Sequence, residues 1–164
     1  MVSEYGYGST QERNTVTKVI SCGDRDWLMS EEAFSIYSPC LYHRTCEDYR
    51  AQMEDCLSDP AVKIFVCEYR GRKRGMMVLK LSEAHGEIIG IAVSENARRK
   101  GIGRQMIRSV MESGDLESLT ARTDDDSIGF YRRCGFSEER ILMEYPDGTA
   151  VRYNCVLCRQ TATC

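Results

Sequence analysis

The chain has 164 residues, of which 42% are hydrophobic and 29% are charged, and its formal net charge is -3. A chain of this length is expected to fold as one domain with a substantial buried core. The acidic balance argues against a general nucleic-acid binder, and no apolar run is long enough to span a bilayer.

The sequence before the first predicted element lacks the apolar core of a signal peptide. Residues 1–13 are polar and contain glycine and serine, which predicts a mobile tail ahead of one domain at residues 14–164. The nine cysteines follow no framework spacing, so we expect free thiols in a reducing cytoplasm. Cys155 and Cys158 have a metal-like spacing, but no second pair or histidine cluster accompanies them, and no metal site is predicted.

The first half of the chain predicts a strand, two helices and a hairpin. In chain order these are strand 15–21, helix 27–37, helix 47–57 and the paired strands 61–69 and 75–81. Asp24 or Asp26 is the expected cap of the first helix, and Pro60 ends the second. The hairpin turn is RGRKRG (70–75), whose four cations we expect to be solvated.

The second half predicts alternating strands and helices. In order these are strand 86–93, helix 104–113, strand 116–122, helix 125–134 and the strand pair 136–145 and 149–157. The strand 86–93 is apolar nearly throughout, so we expect both of its faces to be covered. The unit from Glu87 to Arg122 is expected to be a right-handed parallel crossover within a mixed α/β domain.

The segment ARRKGIGRQM (97–106) places three adjacent cations and two glycines between a predicted strand and a predicted helix. The start of a helix has unpaired N–H groups and about half a positive charge, and both favour phosphate. A P-loop needs a Gly-Lys-Ser/Thr ending and a dinucleotide fingerprint needs a third glycine, and the segment has neither. Taken alone, it fits a pyrophosphate site and a plain basic loop before a helix equally well.

Two motifs together resemble the GCN5-related N-acetyltransferases, the GNAT family. RRKGIG (98–103) has the form Arg/Gln-x-x-Gly-x-Gly/Ala after its strand, and FYRRCGF (130–136) has the form Phe-Tyr-x-x-x-Gly-Phe. The resemblance extends over residues 14–157. It implies an α/β fold with a mixed, mostly antiparallel sheet of about seven strands, about four helices, and a parallel pair formed by the fourth and fifth strands, which splay apart.

The resemblance implies acetyl-coenzyme A as the cosubstrate, held around the glycine turn and along the preceding strand. The implied binding residues are Ile91, Ala92, Val93, Arg98, Arg99, Lys100, Gly101, Ile102, Gly103, Arg104, Asp124 and Tyr131. Asp124 departs from the family pattern, in which Asn is common, and a carboxylate cannot donate a hydrogen bond to the coenzyme. We expect Asp124 to cap the following helix, although the run TDDDS would also attract a cationic amine.

The resemblance implies a direct transfer of the acetyl group to a primary amine, in which two residues take part as acid and base. Tyr131 occupies the position from which the family's tyrosine reaches the coenzyme sulfur, so it is the candidate acid; a core aromatic residue is the alternative. Glu87 is the candidate base, because it lies on the strand that carries the catalytic glutamate of the histone-acetylating branch. Strand alternation places Glu87 with Ile89, Ile91 and Val93, and a merely solvated glutamate is the alternative.

The acceptor side is less defined by the sequence. In the family, the loop between the first helices and the last hairpin shape this side, which implies Tyr42, His43, Glu144 and Tyr153 as acceptor contacts or proton relays. The acceptor amine is unidentified, and homodimerisation is left open. A non-catalytic acyl-coenzyme A binding module or sensor is the alternative function.

Overall fold

The computed structural model describes residues 17–160, so the tail predicted at residues 1–13 lies outside the described residues. Seven strands form one mixed sheet in the order β1-β2-β3-β4-β5-β7-β6. The strands are β1 Thr17–Ser21, β2 Val62–Tyr69, β3 Arg72–Ser82, β4 His85–Val93, β5 Ser118–Thr123, β6 Ser137–Tyr145 and β7 Gly148–Cys158. Only β4 and β5 pair in parallel within this part of the chain, which confirms the predicted sheet.

The helices are α1 Arg25–Leu28, α2 Glu31–Tyr37, α3 Cys46–Ser58, α4 Ile102–Ser113 and α5 Ile128–Arg133. The single helix predicted at 27–37 is therefore wrong. Asp24 caps α1 by accepting from Trp27 N at 3.1 Å, and Ser30 starts α2 by accepting from Ala33 N at 3.2 Å. A second capping residue inside the apolar pattern divides it into two helices. No helix within residues 17–160 is long and apolar enough to cross a membrane.

The turn of the first hairpin is shorter than predicted. Arg70 and Gly71 have φ values of 51° and 75°, so a two-residue turn joins β2 to β3. The cations that follow lie on β3 rather than at a loop tip. Lys73 Nζ is 5.0 Å from the centroid of the Trp27 ring, and Arg74 donates to Asn96 Oδ1 at 3.1 Å.

Each face of the sheet has its own buried core. The face that packs against α4 and α5 includes Met77, Leu79, Met106 and Leu119. The opposite face, toward α2 and α3, buries Tyr37, Tyr49, Met53, Met76 and Val78. Because α4 has one strongly apolar stripe, the periodicity in the sequence is sufficient to orient it on the sheet.

Strands β4 and β5 pair only over the first four residues of each strand. The parallel ladder ends where Ile88 lies opposite Ala121, and beyond this pair the two strands are no longer hydrogen-bonded to each other. On the other side of β4, Gly90 lies opposite Val78 while Ile88 lies opposite Leu79. Ile89 is therefore an extra residue, a β-bulge at the point where the strands separate.

The bulge inverts the side-chain alternation of β4. Ile88 packs in the core under α4, and so do Ile91 and Val93, which are three and five residues further on. Glu87 therefore lies on the opposite face from Ile91 and Val93, so the predicted alternation is wrong. The expectation of two covered faces is also wrong, because Glu87 is exposed and Ile89 is 43% exposed.

Candidate active site

A cleft of about 1000 Å³ lies where β4 and β5 separate, between the start of α4 and the start of α5. The predicted coenzyme residues on β4, in the glycine segment and at Asp124 and Tyr131 all line it, with the exception of Lys100. Lys100 Nζ is instead 5.9 Å from the centroid of the Tyr69 ring. The sequence motifs thus converge on one cavity, although they are about 30 residues apart along the chain.

The glycine segment presents backbone N–H groups to this cleft. Gly101 has φ 76° and precedes α4, whose first hydrogen bond runs from Gln105 N to Gly101 O at 2.9 Å. The N–H groups of Ile102, Gly103 and Arg104 come before that bond and have no partner within the helix. A Cβ built on Gly101 meets nothing within 4 Å, so the turn has room for an anion.

Gly103 is a glycine for a different reason. A Cβ at this position would lie 2.8 Å from Phe130 Cε2, because the start of α4 packs directly on α5. The second glycine of the motif therefore sets the distance between two helices, whereas the first provides the left-handed turn.

Two of the cations are already bonded to backbone carbonyls. Arg98 Nε donates to Val93 O at 3.2 Å, and Arg104 Nη2 donates to Arg133 O at 2.7 Å at the end of α5. Both side chains are exposed and line the cleft, so their remaining N–H groups are available to an anion.

The free edge of β4 faces the gap. Cys40 Sγ donates to Ile91 O at 3.3 Å, while Arg98 bonds Val93 O, so these two carbonyls point away from β3. In an antiparallel strand, the N–H and C=O groups of one residue point to the same side, and alternate residues serve alternate neighbours. The N–H groups of Ile91 and Val93 therefore point into the gap, and those of Ala92 point toward β3.

Tyr131 is buried at the inner end of the cleft. Its ring is 7% exposed and makes edge contacts with Phe130 and Phe136, each at 5.2 Å between centroids. Burial, followed by the nearby Cys40 and other thiols, raises the pKa of Tyr131 far above its ordinary value. The phenol is therefore protonated throughout the neutral pH range and can donate a hydrogen bond into the cleft.

Comparisons with known proteins follow this geometry. The family model for the acetyltransferase (GNAT) family matches residues 30–136, which is more than half of the chain. This chain belongs to the GNAT family. It is accordingly an acyltransferase, as its motifs predicted. No curated protein matches the sequence.

Solved structures with the same fold have low sequence identity to this GNAT chain. The ribosomal-protein-S18-alanine N-acetyltransferase from Escherichia coli superposes with a TM-score of 0.68 at 13% identity, covering 90% of this chain and 96% of its own. A Salmonella typhimurium enzyme that modifies the N-terminal serine of ribosomal protein L7/L12 has a TM-score of 0.69 at 15% identity, covering 89% and 96%. A spermidine N-acetyltransferase from Vibrio cholerae has a TM-score of 0.65 at 16% identity, covering 88% and 95%.

Asp124 organises the turn before α5 in this GNAT chain. Its Oδ1 accepts from the N–H groups of Asp126 and Ser127, each at 3.1 Å, and its carbonyl accepts from Ile128 N at 3.0 Å. The N-cap of α5 is Ser127, which forms no side-chain capping bond. Asp124 thus holds the turn that leads into the helix rather than the capping position itself.

The four predicted acceptor residues do not line the cleft. Tyr42 is 93% exposed and stacks edge-on with His43 at 4.7 Å between centroids, and Glu144 is exposed on β6. Tyr153 is buried under α5, where its hydroxyl donates to Asp125 Oδ1 at 2.7 Å; this bond raises the pKa of Tyr153. Tyr153 therefore links β7 to the acidic turn.

Sequence reasoning missed several side chains that line the cleft, among them Cys40, Arg122 and Arg152. Cys40 ends a short 3-10 turn at Ser38–Cys40, and burial raises the pKa of its thiol to about 11. Arg122 follows the last β4–β5 pair, and its position at the end of the predicted strand 116–122 was the one signal that marked it. Arg152 could not be found from the sequence because its placement depends on the β6–β7 register.

The cysteines form no cluster with other metal ligands. Among residues 17–160, no three His, Cys, Asp or Glu side chains are grouped so that they could hold a metal ion. Free thiols occur at Cys22, Cys40, Cys46, Cys56, Cys67, Cys134 and Cys155. Cys158 is disulfide-bonded, which departs from the expectation of free thiols.

Proposed function

We propose that this GNAT acyltransferase transfers an acetyl group from acetyl-coenzyme A directly to a primary amine. The observation that carries the proposal is one cleft that combines a helix start with unpaired backbone N–H groups, a free strand edge and a buried, protonated tyrosine. Each of these features suits one part of an acyl-coenzyme A: its diphosphate, its amide-containing arm and its thioester.

The diphosphate is proposed to bind at the glycine turn. The turn leaves open space at Gly101, which has no side chain. This space is lined by the N–H groups of Ile102 and Gly103 and by the guanidinium groups of Arg98 and Arg104. The arm is proposed to lie along β4 and to use the N–H groups of Ile91 and Val93, as an added strand would. The unpaired length of β4 beyond Ile88 makes these groups available.

The reaction requires a neutral amine, because a protonated one has no lone pair to attack the thioester. A bond forms between the amine nitrogen and the carbonyl carbon, the C–S bond breaks, and one proton leaves the nitrogen while the thiolate gains one. Backbone N–H groups of the free β4 edge are proposed to stabilise the tetrahedral oxyanion.

Tyr131 is proposed to donate a hydrogen bond from its hydroxyl group to the departing sulfur. A thiolate of pKa about 8.5 is a weaker base than the phenolate of Tyr131, whose pKa is raised. Complete transfer of the proton is therefore uphill, and a hydrogen bond that strengthens as negative charge develops is the favoured contribution. The proton that finally reaches the sulfur then comes from solvent.

Glu87 remains the proposed base. It lies on the sheet face opposite Ile91 and Val93, one residue before the last β4–β5 pair, and it is exposed. Because it does not line the cleft itself, it would act through a water molecule on the acceptor side.

A reducing cytoplasm is the proposed location. Support comes from the free thiols, including Cys40, whose Sγ–H bonds the Ile91 carbonyl inside the cleft. An oxidised Cys40 would lose this donor.

Titration calorimetry with acetyl-coenzyme A, paired with a coenzyme-release assay over a panel of amines, tests the proposal. We expect Arg98→Glu with Arg104→Glu to abolish measurable binding and Lys100→Glu, just outside the cleft, to change it little. Tyr131→Phe should lower kcat by about 10²- to 10⁴-fold at unchanged coenzyme affinity. Glu87→Gln should lower kcat/KM by about 10²- to 10⁴-fold.

Three results would contradict parts of the proposal. Absence of any coenzyme binding removes the whole function. Binding without turnover on any amine favours the non-catalytic sensor instead. Unchanged kcat in Tyr131→Phe, or unchanged kcat/KM in Glu87→Gln, removes that residue from the mechanism.

A further inference from the structure

We propose that the acceptor amine carries a carboxylate, and that Arg122 and Arg152 bind this carboxylate beside the reaction centre. The inference rests on the proposed acetyl transfer and specifies its second substrate. It follows from two cationic side chains that line the cleft on the sheet face opposite α4 and α5.

Arg122 lies where β4 and β5 separate. The last β4–β5 pair is Ile88 opposite Ala121, so Arg122 is the first residue of β5 beyond it. Leu119 and Ala121 belong to the core under α4, and alternation therefore turns Arg122 to the opposite face. Its Nε donates to Asn154 Oδ1 at 3.2 Å, which fixes the guanidinium while its Nη groups remain available.

Arg152 lies on the same face. Asn154 is opposite Arg122 in the β5–β7 ladder, and Arg152 is two residues from Asn154 on β7. The guanidinium carbon of Arg152 is 5.7 Å from the centroid of the Tyr145 ring, and its Nη1 donates to Val151 O at 2.8 Å. An aromatic ring and a carbonyl therefore orient this side chain toward the cleft.

Neither arginine has a carboxylate partner in residues 17–160, where the ion pairs are Arg25–Glu54 and Arg132–Glu138. Among the acidic residues near them, Asp124 accepts two backbone N–H groups in its own turn, Asp126 is exposed at the cleft, and Glu87 and Glu139 are exposed on the same sheet face. Within residues 17–160 the two guanidinium groups thus form no ion pair, and both line the cleft that is proposed to hold the thioester.

The two arginines in the cleft favour an acceptor that carries a carboxylate. A planar guanidinium binds a carboxylate through two parallel hydrogen bonds, which would fix the distance from the carboxylate to the amine. The positive charge also disfavours the protonated form of a neighbouring amine and so increases the fraction that can attack. A polyamine would bring additional positive charge to the same two side chains and is disfavoured.

Free amino acids carry both an amine and a carboxylate, and so do peptides whose N-terminal residue is acidic. The coenzyme-release assay separates them by comparing glycine and glutamate with short, C-terminally amidated peptides that begin with Asp or Glu. A preference for the first pair indicates a small-molecule acceptor, and a preference for the peptides indicates a protein N-terminus.

The decisive experiment measures binding of product-like probes to the protein saturated with coenzyme A. N-acetylglycine carries the carboxylate, and N-acetylglycinamide is its neutral match. We expect N-acetylglycine to bind at least about tenfold more tightly, and Arg122→Gln or Arg152→Gln to remove the difference. Arg50→Gln, an exposed arginine of α3 outside the cleft, is the matched control and should leave both affinities unchanged.

Equal affinity for the two probes, or no binding of either in the millimolar range, overturns the inference. Better turnover of spermidine than of every carboxylate-bearing amine also overturns it. These failures leave the proposed function intact, since coenzyme binding and turnover of some amine would persist. Loss of coenzyme affinity in Arg122→Gln would assign this residue to the coenzyme instead.

Discussion

Gly90 illustrates how a single residue supports the site. It follows the bulge at Ile89, and a Cβ at this position would lie 2.1 Å from the Tyr37 hydroxyl and 2.7 Å from Tyr37 Cζ. The hydroxyl is fully buried and has no hydrogen-bond partner among the described residues. Tyr37 therefore packs its polar end on the bare backbone of β4, immediately beside the gap.

Gly90→Ala is expected to destabilise the fold by about 1–3 kcal/mol, because the new methyl overlaps the Tyr37 ring. Tyr37→Phe should be neutral or stabilising by up to about 1 kcal/mol, since it removes an unpaired buried hydroxyl. In the Tyr37→Phe background the cost of Gly90→Ala should fall. Urea unfolding of the four proteins measures this coupling.

Gly23→Ala is a suitable control, since a Cβ there meets nothing within 4 Å. Additive effects of the Gly90 and Tyr37 substitutions would show that the hydroxyl does not limit the space at Gly90.

At the scale of elements, the two glycines of the RRKGIG motif (98–103) have different structural roles. Gly101 allows the left-handed turn before α4, and Gly103 allows α4 to approach Phe130 of α5. Arg104 joins the same two helices through the carbonyl of Arg133. The start of α4, where the diphosphate is proposed to bind, is therefore positioned by α5, the element that also carries Tyr131.

Gly103→Ala is expected to cost about 1–3 kcal/mol and to weaken acetyl-coenzyme A binding, because the added methyl must displace Phe130. Phe130→Leu should reduce this cost in the double variant. Chemical denaturation and calorimetry report the two effects.

The comparison variant is Gly101→Ala, whose cost comes from backbone strain at φ 76° rather than from packing. Phe130→Leu should leave that cost unchanged. If Phe130→Leu relieves both glycine variants equally, the assignment of separate tasks is wrong.

At the scale of the whole molecule, buried phenols and thiols lie in the interior on both faces of the sheet. Burial is the largest cause that raises the pKa values of Tyr37, Tyr49 and Tyr131 well above their ordinary value. Tyr49 is fully buried and donates to Leu28 O at 2.7 Å. Burial also raises the pKa of Cys67 to about 11.

These shifts predict a loss of stability in alkali. Below the ordinary pKa values, folded and unfolded chains are equally protonated at these groups, and their contribution is constant. As pH rises past about 9 for the thiols and about 10 for the phenols, the unfolded chain releases protons that the folded chain retains. The free energy of unfolding should then fall by about 1.4 kcal/mol per pH unit for each such group.

Urea unfolding between pH 7 and 11 measures this slope. Tyr49→Phe should reduce the fall in unfolding free energy by about 1.4 kcal/mol per pH unit, which corresponds to one proton. Tyr42→Phe should not change this slope, because Tyr42 is 93% exposed. A free energy of unfolding that does not change above pH 9 would contradict the buried, protonated state of these groups.

The sequence by itself determined the order and type of most elements, the GNAT family and the location of the glycine turn that starts α4. These depend on patterns local in the chain: a helical apolar stripe from Ile102 to Val110, the glycines beside Arg98, and the Phe130–Phe136 motif. Such patterns predict well because the hydrogen bonds of a helix, and the dihedral angles of a turn, involve residues a few positions apart.

Only the tertiary structure decided which side chains reach the cleft. The bulge at Ile89 moved Glu87 to the other face, and β5–β7 pairing placed Arg122 against Asn154, 32 residues away. Lys100 turned to Tyr69 while its neighbour Arg98 bonded Val93. A strand register that shifts by one residue reverses every side chain beyond it, and that shift is set by contacts between distant segments, which no local pattern contains.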